Sequence, residues 1–340
     1  MIESVALFLL LWGQQQYVDT KAQLVNQFLQ KHGAVGVAVA VVDGSNAWHW
    51  EAGYANKSKK RKVEAYTRFR LGSVSKPVAA TLVMSLVEQG KLDLDKGVAT
   101  YVAGYPDQNG TITLRRILCH TSGIRHYSQD KNDVFYKPWT TAEALAVFKD
   151  DPLLFTPGEK YSYSTHAYTV AVAAIESASR VPYRDYLRNC ISQKVALTLD
   201  CEVLKVSKPE RSELYNSAGK VYKKRQDNSW KYGGGGLEST AVDLAWFGSF
   251  VARGGLLNTE TVNTMWTKQK LNDGTPISYG LGWDLGKAGF ARHSGGQQGC
   301  SAYLLVDRGT QVAVAVLCNT DSKPVQQLAE DLYVEHMRSR

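Results

Sequence analysis

Apolar residues in the first part of the chain recur in patterns that predict a helix followed by a β-hairpin. Helical spacing over 24–29, closed by Gly33, indicates an amphipathic helix. Apolar residues then alternate over 35–41, the turn-forming segment 43–46 follows, and aromatic residues return over 48–54. This alternation around a short polar turn is typical of two antiparallel strands.

A second helix is predicted from a longer apolar run over 78–87, which reads as buried on most faces and ends at Gly90. From Gly90 to about residue 240 the chain is rich in helical patterns and loops and has few alternating strands. We interpret 91–240 as a mostly helical subdomain inserted into an α/β frame.

Strand patterns return in the last hundred residues, after a helix predicted near 243–251. Strands are predicted at 279–283, 290–293, 302–307 and 311–319. The last of these is apolar on both faces, so we expect helices on both sides of the sheet there, and 324–336 can form one of them. We therefore expect one domain over 18–340, with its α/β part at 18–90 and 241–340.

The N-terminal residues 1–17 carry an apolar stretch of signal-peptide length, but Glu3 stands where a positive charge is expected. The stretch is too short to span a bilayer. A degenerate export signal would place the protein in the periplasm or outside the cell. The alternative is that the segment is a helix packed on the rest of the protein, which would then be cytoplasmic.

Composition is ordinary for a globular enzyme, with 44% hydrophobic and 21% charged residues among 340. The formal charge of +8 favours contact with an anionic membrane or cell-wall surface, while motifs for binding nucleic acid are missing. The five cysteines form no Cys-x-x-Cys motif and are odd in number. Cys190 and Cys201 are the one pair close enough in sequence to consider as a disulfide.

Ser73 and Lys76 stand just before the second predicted helix, in the segment Leu71-Gly72-Ser73-Val74-Ser75-Lys76-Pro77. One helical turn separates them, so hydroxyl and amine share a face. A hydroxyl needs a nearby base to become a nucleophile, and a desolvated lysine can supply one. The same short pattern also arises by chance, and a serine at a helix start is often only an N-cap.

Two later segments offer further candidate chemistry. In 157–165, Tyr163 is a candidate base, because a neighbouring lysine ammonium would favour its phenolate. In 292–296, small residues follow His293, where substrate could approach the backbone and a glycine N–H could face an oxyanion. A packed loop tyrosine and a glycine-rich turn are the simpler interpretations. Segments 118–126 and 233–240 would shape the cleft.

Taken in order, these landmarks resemble the serine β-lactamase and penicillin-binding-protein superfamily, in particular its class C-like branch of β-lactamase-related serine hydrolases. The resemblance covers roughly 24–319. Segments 90–95 and 120–127 are similar to the mitochondrial β-lactamase-like proteins and their bacterial relatives. The resemblance implies an α/β (α+β) fold of the β-lactamase/transpeptidase type, an antiparallel sheet flanked by helices with an inserted helical subdomain.

The same resemblance implies roles for individual residues. Ser73 would be the nucleophile of an acyl-enzyme, with Lys76 and Tyr163 as the proton-handling pair. The backbone N–H groups of Ser73 and Gly296 would form the oxyanion hole. The substrate-binding positions implied by the family's other two motifs are Thr165, His293, Ser294 and Gly295.

Two departures from the family pattern bear on the substrate. Thr165 stands where the family has Asn, which removes an amide that could hold Lys76 and a substrate acylamide. His293 stands where the family has Lys, so a fixed positive charge becomes one that depends on pH. Both changes weaken the case for a β-lactam substrate. His-x-Gly at this place is similar to the esterase and peptidase members of the superfamily.

The function expected from the sequence is therefore hydrolysis of an ester or peptide (amide) bond by a serine hydrolase. A β-lactamase or a penicillin-binding D-Ala-D-Ala carboxypeptidase is the alternative within the same chemistry. A non-catalytic, membrane-associated scaffold on the same fold is the alternative of another class. The expected partner is a small-molecule ester, peptide or β-lactam substrate, and neither a cofactor nor a metal is expected. Motifs of α/β-hydrolases and metallo-hydrolases do not occur.

Overall fold

The computed structural model describes residues 19–106, 111–128 and 135–340. The apolar segment 1–17, for which an export signal or a packed helix is expected, lies outside these ranges. No helix within them has both the length and the apolarity needed to cross a bilayer. All five cysteines lie inside them and are free thiols, so Cys190 and Cys201 are not bridged.

The central element is a six-stranded antiparallel sheet with strand order β3-β2-β1-β9-β8-β7. Gly36 pairs with Gly53 in the N-terminal hairpin, and Val37 pairs with Cys318 where the first strand meets the last. The hairpin and the C-terminal strands are thereby joined in one sheet. Its strands are β1 (Gly36–Asp43), β2 (Asn46–Asn56), β3 (Arg61–Lys62), β7 (Phe290–Gln297), β8 (Cys300–Asp307) and β9 (Ala313–Cys318).

Helices pack on both sides of this sheet. One face of β9 carries Val314 and Val316 and packs against α1 (Thr20–His32) and α10 (Val325–Ser339). The other face carries Ala313 and Ala315 and packs against α8 (Ala241–Ala252). The alternation of apolar residues on both faces of a strand requires such covering, and the prediction of a doubly buried strand is confirmed.

The segment between the two parts of the sheet contains short helices joined by long loops. A second, three-stranded sheet joins it to the frame through β4 (Phe69–Arg70), β6 (Leu237–Ser239) and β5 (Asp200–Cys201). The α-helices of the segment are α3 (Leu114–Leu118), α4 (Thr141–Ala146), α5 (His166–Ser179), α6 (Tyr183–Leu187) and α7 (Tyr232–Gly235). The helix α2 (Ser75–Glu88) precedes the segment, and α9 (Thr259–Met265) follows α8.

The prediction of a strand at 279–283 is wrong. The Gly280 N–H donates to Trp283 O, so the backbone turns within the segment, and Gly282 has φ of 85°. A Cβ at Gly282 would lie 2.4 Å from Ala80 Cβ. Glycine lets this turn pack directly on α2, which the apolar pattern alone does not indicate.

Candidate active site

Ser73 lies in a single 3₁₀ turn, Gly72–Val74, that connects β4 to α2. Gly72 has φ of 52°, and a Cβ there would lie 2.9 Å from the Gly296 nitrogen. Glycine is therefore required both by the left-handed backbone and by the close approach of β7. The turn presents a half-buried Ser73 at the start of the helix, beside the edge strand of the sheet.

Lys76 is fully buried in the first turn of α2 and contacts three oxygen atoms. Its Nζ lies 2.7 Å from Gly234 O, 3.1 Å from Thr165 Oγ1 and 3.2 Å from Ser73 Oγ. None of these three partners is an acid. Lys76 is therefore held by neutral oxygens from three separate segments of the chain.

Burial lowers the pKa of Lys76 well below its usual value of 10.5, and the positive charge of Lys231 lowers it further. A neutral amine has two N–H groups and one lone pair. With its N–H groups donated to Gly234 O and Thr165 Oγ1, the lone pair remains for the Ser73 hydroxyl proton. The contacts of Lys76 thus match those of a base for Ser73.

Tyr163 lies beside the pair, with Lys76 Nζ 4.6 Å from the centroid of its ring. Burial raises the pKa of Tyr163 far above 10, and a side-chain hydrogen bond with Ser73 offsets only part of that rise. The expectation that the lysine favours a Tyr163 phenolate is therefore wrong, because burial lowers the charge on Lys76 as well. Tyr163 is present as a neutral phenol that can donate its proton.

His120 supports Tyr163 and was not singled out as a site residue from the sequence. The two rings lie 4.2 Å apart between centroids, and His120 Nδ1 accepts the Ser164 N–H at 3.1 Å. Burial lowers the pKa of His120 well below 6.5, so it packs as a neutral ring. The backbone at His120 is left-handed, with φ of 62°.

Thr165 is 2% exposed and faces Lys76, not the cavity. Its hydroxyl is within hydrogen-bond distance of Lys76 Nζ. The expectation that a threonine at this position loses the contact with Lys76 is therefore wrong. Its methyl group packs against Gly234, where a Cβ would lie 2.7 Å from Thr165 Cγ2. Thr165 is thus placed to position the lysine and not to contact substrate.

The segment 292–296 is part of strand β7 and not a turn. Ser294 and Gly296 are exposed, whereas His293 and Gly295 are buried, which is the period-two alternation of a strand. A Cβ at Gly295 would lie 2.0 Å from Leu71 O, while one at Gly296 would meet nothing within 4 Å. Glycine at 295 therefore brings β7 against the Ser73 turn, and Gly296 borders open space beside it.

His293 carries no charge in the neutral range. Burial and the nearby Lys76 lower its pKa to about 3. Its Nδ1 lies 2.7 Å from Ser294 O, which can only accept, so Nδ1 carries the proton. Nε2 then accepts from the Tyr279 hydroxyl at 2.7 Å. The expectation of a pH-dependent positive charge at His293 is therefore wrong.

A cavity of about 670 Å³ opens beside Ser73 on the His293 side. Its one acidic side chain, Asp284, forms an ion pair with Arg292 at 3.2 Å. Arg292 also lies 3.6 Å from Glu330 on α10, so its charge is shared with two carboxylates away from Ser73. The cavity is lined by Ser73, Tyr161, Tyr163, Ile277, Ser278, Tyr279, Asp284, His293, Ser294 and Gly296.

The structure brings together every site residue predicted from the sequence. Ser73, Tyr163, His293, Ser294 and Gly296 line the cavity directly. The remaining predicted residues act behind it, where Lys76 and Thr165 contact each other and Gly295 packs against the Ser73 turn. Within 19–106, 111–128 and 135–340, no three His, Cys, Asp or Glu side chains converge as metal ligands.

Known proteins are similar to this chain over most of its length. The family model named Beta-lactamase matches residues 22–336. The human serine beta-lactamase-like protein LACTB, mitochondrial, is 26% identical over 446 aligned positions that cover 95% of this chain and 80% of that protein. Penicillin-binding protein 4* of Bacillus subtilis is 28% identical, over 81% of this chain and 66% of its own.

Among solved structures, a D-stereospecific amidohydrolase from Streptomyces superposes with a TM-score of 0.77 and 27% identity. The match covers 91% of this chain and 97% of that one. The fold is that of the β-lactamase/transpeptidase class, with an antiparallel sheet flanked by helices, which confirms the fold expected from the sequence.

Proposed function

The chain belongs to the beta-lactamase family, and from that premise we propose that it is a serine hydrolase that cleaves ester or amide bonds through an acyl-enzyme. The observation that carries the proposal is the set of contacts around Lys76. A buried lysine without an acidic partner is costly unless it is neutral, and its lone pair is free for the Ser73 proton.

In the proposed reaction, Lys76 takes the hydroxyl proton while Ser73 Oγ forms a bond to the substrate carbonyl carbon. The backbone N–H groups of Ser73 and Gly296 receive the oxyanion. Tyr163 gives its proton to the leaving group as the carbon–leaving-group bond breaks, and the Lys76 ammonium reprotonates it. Water then attacks the acyl-enzyme by the same proton path in reverse, which frees Ser73.

Ester and amide substrates fit the cavity better than a β-lactam acid. On the His293 side lies a neutral imidazole bonded to Tyr279, and no lysine or arginine is among the described residues that line the cavity to hold a carboxylate. The Streptomyces neighbour is a D-stereospecific amidohydrolase, which supports amides as one substrate class. The Bacillus relative is a penicillin-binding protein, so a penicillin is included among the test compounds.

The test is intact-protein mass after brief incubation with p-nitrophenyl butyrate, a D-amino-acid amide, a D-Ala-D-Ala peptide and a labelled penicillin, together with turnover rates. Ser73→Ala is the reaction-dead variant. Ser85→Ala is its matched control, because Ser85 lies at the other end of the same helix and bonds only to Gln89 and Tyr186.

We expect ester and amide turnover in the wild type and in Ser85→Ala, and none in Ser73→Ala. A long-lived penicilloyl adduct on Ser73 would move the assignment to a penicillin-binding protein. No turnover and no adduct with any of these compounds or with a fluorophosphonate would refute a hydrolase and favour the scaffold.

A further inference from the structure

A second lysine, Lys231, is buried next to the candidate active site without a hydrogen bond or an ion pair to any described residue. It is 5% exposed and precedes the short helix α7. Its Nζ lies 5.0 Å from the centroid of the Trp230 ring and 5.2 Å from that of Tyr127. Ring faces attract a cation but do not satisfy its N–H donors.

The charged residues around Lys231 do not neutralise it. Arg70 and Glu202 lie nearby, but they form an ion pair at 2.9 Å, and the second Glu202 oxygen accepts from Asn228. Cys300 donates its thiol proton to Arg70 O. Desolvation and then the positive charge of Arg70 lower the pKa of Lys231 to about 7. Lys76 is the other titratable group in range, and its pKa is lowered as well.

Gln297, at the end of β7, is a second unsatisfied polar group in the same place. Both polar atoms of its amide are buried and have no hydrogen-bond partner among the described residues. Gly235 connects it with Lys231, because a Cβ at Gly235 would lie 3.5 Å from Lys231 Cδ and 3.7 Å from Gln297 Oε1. Such unsatisfied buried groups are rare in folded proteins and call for an explanation.

Neither residue is among those that line the cavity, and Gln297 follows Gly296, which does, along β7. Side chains alternate along β7, so Gln297 shares the face of His293 and Gly295. Two residues span about 6.6 Å of strand, which places Gln297 about that far past Gly295. Tyr163, the proposed proton donor to the leaving group, lines the cavity, and its ring centroid lies 6.4 Å from that of His293.

We propose that Lys231 and Gln297 form a subsite for a carboxylate at the far end of the substrate's acyl group. The inference rests on the proposed hydrolase function, because it places the leaving group beside Tyr163 and the acyl chain along β7 toward Gln297. Ammonium and amide N–H groups are donors suited to a carboxylate. The oxyanion lies at the Gly296 N–H, one residue before Gln297, so the subsite suits a short dicarboxylic acyl group, of which glutaryl is the probe.

Equilibrium binding to the Ser73→Ala variant tests the subsite without any turnover. The probes are glutaryl-p-nitroanilide and its neutral counterpart butyryl-p-nitroanilide, titrated by calorimetry. Lys231→Met removes the ammonium but keeps a flexible chain of similar length. Lys224→Met is the matched control, because Lys224 also lies over a ring, that of Tyr136 at 4.1 Å, but is exposed.

We expect Lys231→Met to weaken glutaryl-p-nitroanilide binding by about 10- to 100-fold and to leave the neutral probe within about twofold. Gln297→Leu should weaken the binding of glutaryl-p-nitroanilide by about 5-fold, and Lys224→Met should change the affinity of neither probe. Equal affinity of the two probes for the parent protein, or equal losses for both probes in Lys231→Met, would overturn the subsite.

Hydrolysis of mono-p-nitrophenyl glutarate and p-nitrophenyl butyrate separates this inference from the proposed function. Turnover of both esters with equal kcat/KM in the wild type and in Lys231→Met would leave the hydrolase standing and remove the subsite. Selective binding of the glutaryl probe without turnover of either ester would support the subsite and refute the hydrolase.

Discussion

Replacing Tyr163 with Phe separates the two candidate bases, Lys76 and a Tyr163 phenolate. The substitution removes one oxygen atom and keeps the ring that contacts His120. The structure therefore predicts a loss of about 1 kcal/mol of stability at most, the value of one hydrogen bond. The effect on the reaction should be much larger, because the hydroxyl is the proton donor to the leaving group.

The magnitude follows from general acid catalysis. Loss of a positioned proton donor costs about 100- to 10,000-fold in rate, so kcat/KM for p-nitrophenyl butyrate should fall at least about 100-fold, equivalent to about 2.7 kcal/mol in the barrier. An aryl ester has a good leaving group and an amide a poor one, so the loss should be larger for an amide.

The pH profile decides between the bases. Because the pKa of Lys76 is lowered, kcat/KM should rise with pH through that pKa and then stay level, since the neutral amine persists above it. A phenolate base would give a rate that still climbs above pH 10, because the pKa of Tyr163 is raised. His293, with a pKa of about 3, should add no step in the neutral range.

We expect Tyr163→Phe to lower the plateau and leave the inflection in place. The measurement is kcat/KM from pH 5 to 11 for the variant and the wild type, with circular dichroism as a control for folding. A folded variant that keeps wild-type activity would refute Tyr163 as the proton donor, and one whose pH inflection disappears would refute Lys76 as the base.

Three further outcomes follow from the same geometry. Thr165→Val, which keeps the branched shape and removes the hydroxyl from Lys76, should lower kcat/KM about 10-fold and leave the melting temperature within a few degrees. Gly295→Ala should lower kcat by at least about 100-fold, because the new Cβ would force β7 away from Leu71 O and the oxyanion hole. Lys231→Met should raise stability by up to about 4 kcal/mol at pH 7, measured by urea unfolding, because its pKa is lowered from 10.5 to about 7. The folded state binds fewer protons at Lys231 than the unfolded state between those values, so wild-type stability should rise more steeply with pH across that window than that of the variant, which keeps the similar contribution of Lys76.

Much of the fold was predictable because its elements carry strong local patterns. The helix over Thr20–His32 and the hairpin that follows it depend on periodicity and turn residues close together in sequence. The doubly apolar strand Ala313–Cys318 gave the layered architecture for the same reason. The error at 279–283 arose because Gly282 allows a close approach to α2 and Gly280 a close approach to Met265 O on α9, and a local pattern does not report such contacts with other segments.

The site was predictable as a set of residues but not as a set of charges. Ser73, Lys76 and Tyr163 were identified from short motifs in a fixed order, and the structure brings them together. Charge states depend on burial, which a motif does not report. The expectations of a Tyr163 phenolate and a titrating His293 both failed because desolvation outweighs the neighbouring groups.

The treatment of buried cations distinguishes the site from its surroundings. Just outside the cleft, Glu238 lies between Arg68 and Arg211, at 3.3 and 2.6 Å, and Glu202 pairs with Arg70 at 2.9 Å. In each of these pairs the cation has a carboxylate beside it, as buried ions require. Lys76 and Lys231 have none, and desolvation lowers the pKa of each. Lysine tolerates this because, unlike arginine, it can lose its proton. Among the described residues, the buried arginines have carboxylate partners and the two neighbouring lysines do not. The contacts of each lysine decide whether its amine takes a proton or binds an anion. Lys76 Nζ lies 3.2 Å from the Ser73 hydroxyl oxygen, whereas Lys231 Nζ lies over the rings of Trp230 and Tyr127.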